Sequence, residues 1–267
     1  MPPPESSVRS QHTWVLGGRY RVLDRLGQGG MAEVFRAHDE LLDRDVAVKV
    51  FRTAPQAGEG DTQAEVRREL ELQSLARLSH PNLITLFDGS VTGDGPGYLV
   101  LELVQGADLA TRLHDGPLSE ALARRVCAQI AEALAYVHAH GMVHRDVKPA
   151  NILLGEDGRP DSIRARLSDF GIVRMVGADR VTAADLTLGT ASYIAPEQAR
   201  GANVEPAADV YSLGLVMIEA LTGVRCFDLP LHEALAARLT SSPEIPTSLP
   251  HPWPTLLAAM TATDPEK

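Results

Sequence analysis

The first part of the chain shows the pattern of a sheet that is buried on one face. Apolar and polar residues alternate with the period of a β-strand in several short segments separated by turn residues. The predicted strands are Tyr20 to Gly27, Ala32 to Asp39, Asp45 to Phe51, Leu83 to Gly89 and Tyr98 to Val104. One helix is predicted from Thr62 to Leu78, and His80-Pro81 ends it. This half therefore predicts a mostly antiparallel sheet with one main helix.

The pattern changes to the helical period after Gly106. Ser119 is a suitable N-cap for a long helix that runs to about His140. Its predicted buried face carries Leu122, Val126, Ile130, Leu134 and Val137. Short strands follow at Ile152 to Leu154 and Ala165 to Ser168, and the segments from Pro196 onward are helical. Strands followed by helices predict an α+β fold with two lobes.

Composition excludes several classes of protein. The net charge is −10, which repels nucleic acid and anionic lipid. The longest apolar segment, Val210 to Val224, is too short and too polar to span a membrane and predicts a buried helix. Cys127 and Cys226 have no C-x-x-C partner, which favours reduced thiols. Residues 1–18 predict a disordered tail without the apolar core of a signal peptide.

Lysine is used at only three positions, although the chain has 25 basic residues. These positions are Lys49, Lys148 and Lys267, and every other basic residue is Arg. Lys presents a compact ammonium, whereas Arg presents a wide planar fork, so the two are not interchangeable at a binding site. The lysines are therefore the first candidates for chemistry.

A glycine-rich segment precedes the first of these lysines. Gly27-Gln28-Gly29-Gly30 lies between two predicted strands, and by itself a plain hairpin turn explains it equally well. Val34 follows, and Lys49 ends Val46-Ala47-Val48-Lys49 on the next strand. This order is that of a glycine loop over ATP phosphates followed by a lysine that binds them.

The most specific segment is His144-Arg145-Asp146-Val147-Lys148-Pro149-Ala150-Asn151. Asp169-Phe170-Gly171 follows 18 residues after Asn151, and Ala195-Pro196-Glu197 comes later. Four fixed residues within H-R-D-x-x-x-x-N, in order with three other motifs, exclude coincidence. The chain resembles the eukaryotic-like (Hanks-type) Ser/Thr protein kinases over about residues 19–267. The sequences of the glycine loop and of Pro196 to Gly201 are most similar to those of the bacterial branch.

The resemblance implies the bilobal protein-kinase fold, with an N-lobe at 19–103 and a C-lobe at 104–267. It also implies a catalytic set. Asp146 would accept the proton of the attacking hydroxyl, and Lys148 would reach the γ-phosphate. Asn151 and Asp169 would hold Mg²⁺, or Mn²⁺ in its place. Lys148 at this position favours Ser/Thr over Tyr as the acceptor.

Lys49 needs a carboxylate to hold it extended, and one predicted helix offers Glu65, Glu69 and Glu71. The helix length usual in the family selects Glu71. The spacing agrees, because Glu71 has Leu75 at i+4 on an inward face. Glu69 remains the alternative, since helix register drifts by ~2–4 residues in such predictions.

The resemblance further implies which residues contact ATP. Leu101 would be the gatekeeper, Glu102 and Val104 would pair with the base through their backbones, and Leu153 would lie against the ring. The full set is Leu26, Gly27, Gln28, Gly29, Gly30, Met31, Ala32, Val34, Ala47, Lys49, Leu101, Glu102, Val104 and Leu153. Ala32 stands where the family has a third glycine, which still permits close approach of the backbone to phosphate.

Regulation is implied by Arg145, which precedes the catalytic Asp. Such an Arg pairs with a phosphorylated loop residue, and Thr182 and then Thr187 are the candidates for autophosphorylation. Thr190 would line the acceptor site. Asp209, on the buried helix, would tether the apolar stack around His144.

The chain ends where the family continues with an Arg that pairs with Glu197. This end predicts a C-lobe that is truncated and an unpaired Glu197.

The sequence thus predicts an ATP- and Mg²⁺-dependent Ser/Thr protein kinase that autophosphorylates, with a homodimer allowing this in trans. Its partners would be Ser/Thr-containing proteins and not nucleic acid, and it would be cytoplasmic or the cytosolic part of a membrane-anchored kinase. A pseudokinase that binds ATP as a scaffold and a kinase of small molecules are the alternatives. The segment from Gly189 to Glu197 argues against the second.

Overall fold

The computed structural model describes residues 14–29, 32–52, 72–73, 75–90, 96–155, 163–169, 192–202 and 204–264. The chain divides into two compact units. The first comprises residues 1–54 and 87–103, and the second comprises 55–86 and 104–267.

The first unit is built on a six-stranded sheet. The strands are β1 (Val15–Leu16), β2 (Tyr20–Gln28), β3 (Ala32–Asp39), β4 (Arg44–Phe51), β5 (Leu86–Ser90) and β6 (Tyr98–Leu101). Their order across the sheet is β1-β2-β3-β4-β6-β5. Successive strands from β1 to β4 pair antiparallel, and β4 pairs antiparallel with β6. The antiparallel pattern predicted from the alternation is confirmed in these pairs.

The two faces of this sheet differ in character. Val46, Val48 and Val50 alternate on β4 and lie in an apolar cluster with Ala37 of β3 and Val100 of β6. The residues between them on β4, Ala47 and Lys49, lie on the opposite face because side chains alternate along a strand. One face therefore forms the core of the unit, and on the other face Ala47 and Lys49 are only partly buried.

Apart from shifts of one residue, the strands of this sheet differ from the prediction at three places. The tail was expected to reach residue 18, but Leu16 is buried and pairs with Tyr20, so Val15 and Leu16 form β1. β6 ends at Leu101 instead of Val104. β5 begins at Leu86 instead of Leu83, because Leu83 forms an isolated parallel bridge with Leu167 in the second unit. Leu83 was therefore predicted in the wrong sheet.

The second unit contains a small sheet and six described helices. The strands β7 (Gly106–Asp108), β8 (Ile152–Gly155) and β9 (Arg164–Leu167) pair antiparallel in that order. The helices are α1 (Leu109–Leu113), α2 (Glu120–Ala139), α3 (Pro196–Ala199), α4 (Ala207–Thr222), α5 (Leu231–Thr240) and α6 (Trp253–Met260). Helical backbone at 72–73 and 75–76 agrees with the end of the predicted helix at 62–78.

Helix α2 follows its sequence pattern closely. The Ser119 hydroxyl accepts a hydrogen bond from the Leu122 amide, as predicted for the N-cap. Val126, Ile130 and Val137 are buried, whereas Leu122 is only partly buried because it lies in the first turn of the helix. The predicted inward face is thus confirmed, except for its first member.

Helix α4 is the centre of this unit. Twelve of its residues are buried, including the charged Asp209 and Glu219, which agrees with the predicted buried helix. The C-terminal end of the predicted buried segment does not agree, because Val224 lies beyond the helix and is 66% exposed. Gly214 lets α6 approach closely, since a Cβ there would lie 2.6 Å from Thr261 Cγ2.

Both cysteines are free, as predicted. Cys127 is buried and Cys226 is partly buried. Burial raises the pKa of each thiol to about 11, so both are protonated and unreactive at neutral pH. In the part of the chain that the structure describes, none of the helices combines the length and the apolar character needed to cross a membrane.

Candidate active site

The segment from His144 to Asn151 forms a compact polar network in the second unit. It follows α2 and ends in a 3₁₀ turn at Pro149–Asn151, in which proline occupies the first position and supplies a preset φ. The turn leads directly into β8. Two side chains of this segment converge on one carboxylate.

That carboxylate belongs to Asp146. Lys148 Nζ lies 2.8 Å from Asp146 Oδ2, and Asn151 Nδ2 lies 3.0 Å from the same oxygen and 2.8 Å from the Asp146 carbonyl. Both donors therefore hold the Asp146 carboxylate in one orientation. Asp146 Oδ1 accepts no hydrogen bond from the residues that the structure describes, so it is the oxygen available to a substrate.

Asn151 joins this network to Asp169. Its carbonyl accepts hydrogen bonds from the Ser168 amide at 2.8 Å and from the Ser168 hydroxyl at 3.1 Å. Asp169 is the next residue and adopts a left-handed backbone with φ of 62°. This conformation is uncommon for a residue with a Cβ and is typical of functional sites. The structure thus brings Asp146, Lys148, Asn151 and Asp169 into one neighbourhood.

The donor set is suited to a hard cation. Both Asn151 Nδ2 contacts are made to Asp146, which leaves the amide oxygen Oδ1 for a ligand. Asp169 adds a carboxylate two residues beyond the end of β9. Oxygen atoms of this kind are the ligands preferred by Mg²⁺, which keeps several waters and needs only one or two protein carboxylates. No group of three or more His, Cys, Asp or Glu suited to a metal occurs among the described residues.

Asp209 of α4 holds the backbone at the start of the segment from His144 to Asn151. Its side chain is fully buried, and its Oδ1 accepts the Arg145 amide at 2.7 Å. Its Oδ2 accepts the His144 amide at 2.8 Å and contacts His138 Nε2 at 2.7 Å. Arg145 has a positive φ of 68°, so this carboxylate stabilises a strained backbone just before Asp146.

His144 is a structural residue of the network and not a base. It is fully buried, and its Nδ1 lies 3.3 Å from the Asp146 amide, which can only donate. The other nitrogen, Nε2, therefore carries the proton and donates to the Ser168 carbonyl at 2.9 Å. Both ring nitrogens are occupied, which leaves neither to abstract a proton from a substrate.

The predicted ATP ligands of the first unit follow the register of its sheet. Val34 pairs with Lys49, and Ala47 pairs with Leu101, so all four lie on the face opposite the apolar cluster. Each is partly buried, as a binding surface requires. The sheet therefore gathers these residues through the strand period alone.

The glycine segment lies at the turn between β2 and β3. The Gly29 amide donates to the Ala32 carbonyl at 2.9 Å, which closes the turn. A Cβ at Gly27 would meet none of the described atoms within 4 Å, and one at Gly29 would meet only the Ala32 carbonyl, at 3.6 Å. Packing against the described residues does not explain Gly27 and Gly29, and the open space is compatible with a ligand approaching the backbone.

The remaining predicted residues divide into three groups. Leu26 and Gln28 are exposed on β2, and Glu102 and Val104 follow the end of β6. Leu153 lies on β8, and its side chain is partly buried. Several predicted residues lie outside the described residues: Gly30, Met31, Glu71, Thr182, Thr187 and Thr190.

Glu197 occupies the first turn of α3 and makes no ion pair with the residues that the structure describes. The neighbouring Gln198 was missed, although its amide has two partners. Its Nε2 donates to the Arg145 carbonyl and its Oε1 accepts the Ala195 amide, each at 3.0 Å. It thus joins α3 to the segment that carries Asp146.

His138 was missed too, because only folding brings it to Asp209.

Comparison with known proteins identifies the class to which this arrangement belongs. Residues 20–267 match the family model described as the protein kinase domain, and the chain belongs to that family. The fold, a sheet-based unit followed by a largely helical one, is that of the family.

Three relatives are bacterial enzymes from mycobacteria. Serine/threonine-protein kinase PknL of Mycobacterium tuberculosis is 37% identical over 257 residues, covering 94% of this chain and 62% of the relative. PknB of Mycolicibacterium smegmatis is 40% identical over 88% of this chain and 37% of the relative. PknA of Mycobacterium tuberculosis is 40% identical over 88% of this chain and 54% of the relative. The chain thus spans between a third and two thirds of the length of these relatives. The family resemblance drawn from the sequence is confirmed.

Proposed function

We propose that this chain is an ATP- and Mg²⁺-dependent protein kinase that transfers the γ-phosphoryl group of ATP to Ser and Thr hydroxyls of proteins. The observation that carries the proposal is that Lys148 and Asn151 both contact the Asp146 carboxylate. Ser168 is hydrogen-bonded to Asn151, and Asp169 is the next residue in the chain. The family and the names of the relatives give the reaction class.

Asp146 is the residue that receives the acceptor hydroxyl. Its Oδ2 is engaged by Lys148 and Asn151, so Oδ1 accepts the proton of the hydroxyl. The hydroxyl oxygen forms the new bond to the γ-phosphorus, the bond from that phosphorus to the ADP oxygen breaks, and the proton passes to Asp146. The Lys148 ammonium lies 2.8 Å from the carboxylate and offsets negative charge on the transferring group.

Asn151 and Asp169 are the residues that would hold Mg²⁺. When bound, the cation neutralises charge on the phosphate oxygens. The protein contributes the fixed position of these two residues, because Ser168 ties one to the other.

The first unit supplies the other proposed ATP ligands. Lys49 would bind phosphate, extended by Glu71, and Val34 and Ala47 would contact the adenine ring together with Leu153. Leu101, Glu102 and Val104 would surround the edge of the base. The common face of Val34, Ala47, Lys49 and Leu101 supports this assignment. The proposed lobes are residues 19–103 and 104–267.

Regulation is proposed through the loop that precedes α3. Phosphate on Thr182, or on Thr187, would pair with Arg145, whose backbone Asp209 holds. Thr190 would contact the acceptor, and a second copy of the chain would supply phosphate in trans. We also propose a cytosolic location, consistent with two free thiols.

The test is incubation of the purified chain with Mg²⁺ and ATP, followed by mass spectrometry. We expect phosphate on Thr182 or Thr187 and on a general protein acceptor such as casein. Asp146→Asn should lower the rate by at least ~100-fold, since a positioned base typically contributes 10²–10⁴-fold. Asp115→Asn, which changes an exposed carboxylate in the same unit, is the matched control.

Each alternative predicts a different result. An ATP-binding scaffold would be stabilised by Mg²⁺-ATP and would transfer no phosphate. A small-molecule kinase would phosphorylate sugars or antibiotics in an acceptor panel and leave proteins unmodified. Either result would contradict the proposed function.

A further inference from the structure

Three consecutive residues before α3 are each held by a different anchor. The Ser192 hydroxyl donates to the Phe227 carbonyl at 3.3 Å, and the Tyr193 hydroxyl donates to Glu219 of α4. The Ile194 carbonyl accepts a hydrogen bond from Arg238 Nη1 of α5. All three residues are at most 6% exposed. The backbone that enters α3 is therefore fixed from the side of α4 and α5.

Arg238 is unusual among these anchors. Its side chain is fully buried, and its guanidinium lies over the Phe227 ring, 4.4 Å from the ring centroid. Within the described part of the chain, its Nε and Nη2 have no hydrogen-bond partner. Burial lowers the pKa of the guanidinium to about 10, which leaves it charged at neutral pH. A buried charge with unused donors is strongly unfavourable for folding.

The stability of the fold gives no reason for such a residue. An apolar side chain of similar size at position 238 would fill the same space without the desolvation penalty. What the guanidinium adds is one hydrogen bond to the Ile194 carbonyl and a planar contact with Phe227. The specific effect of Arg238 is therefore on the conformation of residues 192–195.

The second anchor works in the same way. Glu219 is 8% exposed and accepts from Tyr193, while Arg225 Nε lies 3.2 Å from its other oxygen. Burial and the neighbouring Glu219 carboxylate raise the pKa of Tyr193 far above its usual value, so its hydroxyl remains a donor. Two buried polar contacts thus hold adjacent residues of one short segment.

We propose that Arg238 is a positioning residue for the protein acceptor, acting through the Ile194 carbonyl together with the Glu219–Tyr193 contact. This inference rests on the proposed function, in which Thr190, shortly before residues 192–195 in the chain, contacts the acceptor. Because Arg238 is fully buried, it does not touch the acceptor itself. It fixes the backbone against which the acceptor binds.

The experiment compares Arg238→Met, Arg238→Lys and Tyr193→Phe with the unaltered full chain. Arg124→Met is the matched control, because it removes an arginine that is 66% exposed on α2 in the same unit. The first measurement is amide hydrogen exchange of the peptide covering residues 192–197, without substrate. We expect exchange to rise about tenfold in Arg238→Met and Tyr193→Phe, with α2 unchanged. Arg238→Lys should restore protection in part, since its ammonium can still donate.

The second measurement is steady-state transfer to casein. In Arg238→Met, kcat/KM for casein should fall about tenfold, mostly through KM, while KM for ATP stays within about twofold. Unchanged exchange at 192–197, or unchanged KM for casein, would overturn the proposal. An equal rise of exchange in α2 would also overturn it, because that result indicates general destabilisation.

The two proposals fail separately. If the unaltered chain phosphorylates no protein, the proposed function is wrong, and with it the acceptor role of Arg238. The exchange measurement still decides whether Arg238 fixes residues 192–197. If Arg238→Met does not fold, Arg238→Lys and Tyr193→Phe give the same test.

Discussion

The two regions that carry the proposed catalytic residues are organised by different physical means. On the sheet of the first unit, Val34, Ala47 and Lys49 share a face because side chains alternate along paired strands. Between His144 and Asn151, the backbone is irregular and left-handed at Arg145, and a buried carboxylate on another element holds it. Regular pairing places the first set, and buried polar contacts place the second.

This difference has an energetic consequence. A partly exposed residue on one face of the sheet can change without disturbing the apolar cluster on the other face. A buried hydrogen-bond network cannot, since removing one partner leaves its donors unsatisfied. Function and stability should therefore separate in the sheet and change together around Asp146.

Asp209→Asn gives the largest expected effect. The substitution keeps the shape of the side chain but presents an amide group to the backbone N–H groups of His144 and Arg145. Buried unsatisfied donors cost about 1–3 kcal/mol each, so the free energy of unfolding should fall by ~2 kcal/mol. Phosphoryl transfer should fall by ~100-fold, since a misplacement of the catalytic group by ~1 Å can cost that factor. Urea unfolding and a transfer assay measure the two effects.

Two variants complete this test. Asp228→Asn removes a carboxylate that is 80% exposed, and it should change neither quantity. Lys49→Met, on the sheet face, should lower transfer by a similar factor and leave the unfolding midpoint nearly unchanged. If Asp209→Asn keeps full stability, or if Lys49→Met unfolds the first unit, the contrast between the two regions is wrong.

A pair of valines tests the two faces of the sheet directly. Val48 is fully buried in the apolar cluster, and Val34 is partly exposed on the opposite face. Val48→Ala should lower the free energy of unfolding by ~2 kcal/mol through lost burial and the cavity left behind. Val34→Ala should cost well under ~1 kcal/mol and instead raise KM for ATP. Equal losses of stability would show that both faces are packed alike.

The smallest expected effect is a pH dependence at the edge of the first unit. Asp39 is fully buried, and the Arg19 guanidinium, with hydrogen bonds from the Leu41 and Leu42 amides, lowers its pKa to about 2. In the unfolded chain the pKa is near 3.9. The stabilisation is therefore complete above pH 4 and is lost as the pH falls through about 2.

Asp39→Asn removes this contribution. The difference in urea midpoint between the variant and the unaltered chain should be constant from pH 5 to 7 and should shrink below pH 4. Asp43→Asn, at a carboxylate that is 96% exposed, controls for general acid effects. A difference that stays constant down to pH 2 would contradict the role of the Arg19–Asp39 pair.

Prediction from the sequence succeeded where one local rule decides the outcome. Strand alternation gave the core face of β4, and the N-cap with its helical spacing gave α2 almost to the residue. It was wrong where the same apolar residue can serve two partners. Leu83 fits a strand pattern but bridges Leu167 in the second unit, and Leu16 was taken as tail although it pairs with Tyr20.

The candidate site divides in the same way. H-R-D-x-x-x-x-N and the lysine count singled out Asp146, Lys148 and Asn151, because phosphoryl transfer uses few residue types in a fixed order. No sequence pattern indicated that His138 lies beside Asp209, or that Arg238 binds the Ile194 carbonyl. These pairs are 71 and 44 residues apart, so spacing along the chain carries no signal for them.

The sequence by itself determined the family, the reaction class proposed for it and the residues that can take part. Only the tertiary structure decided how those residues are held. The reason is that a residue type and its local spacing follow from short-range chemistry, whereas a left-handed Arg145 or a buried Arg238 is stable only when distant elements satisfy its polar groups. The sequence specifies the side chains that can take part, and contacts from α4 and α5 fix the backbone that carries them.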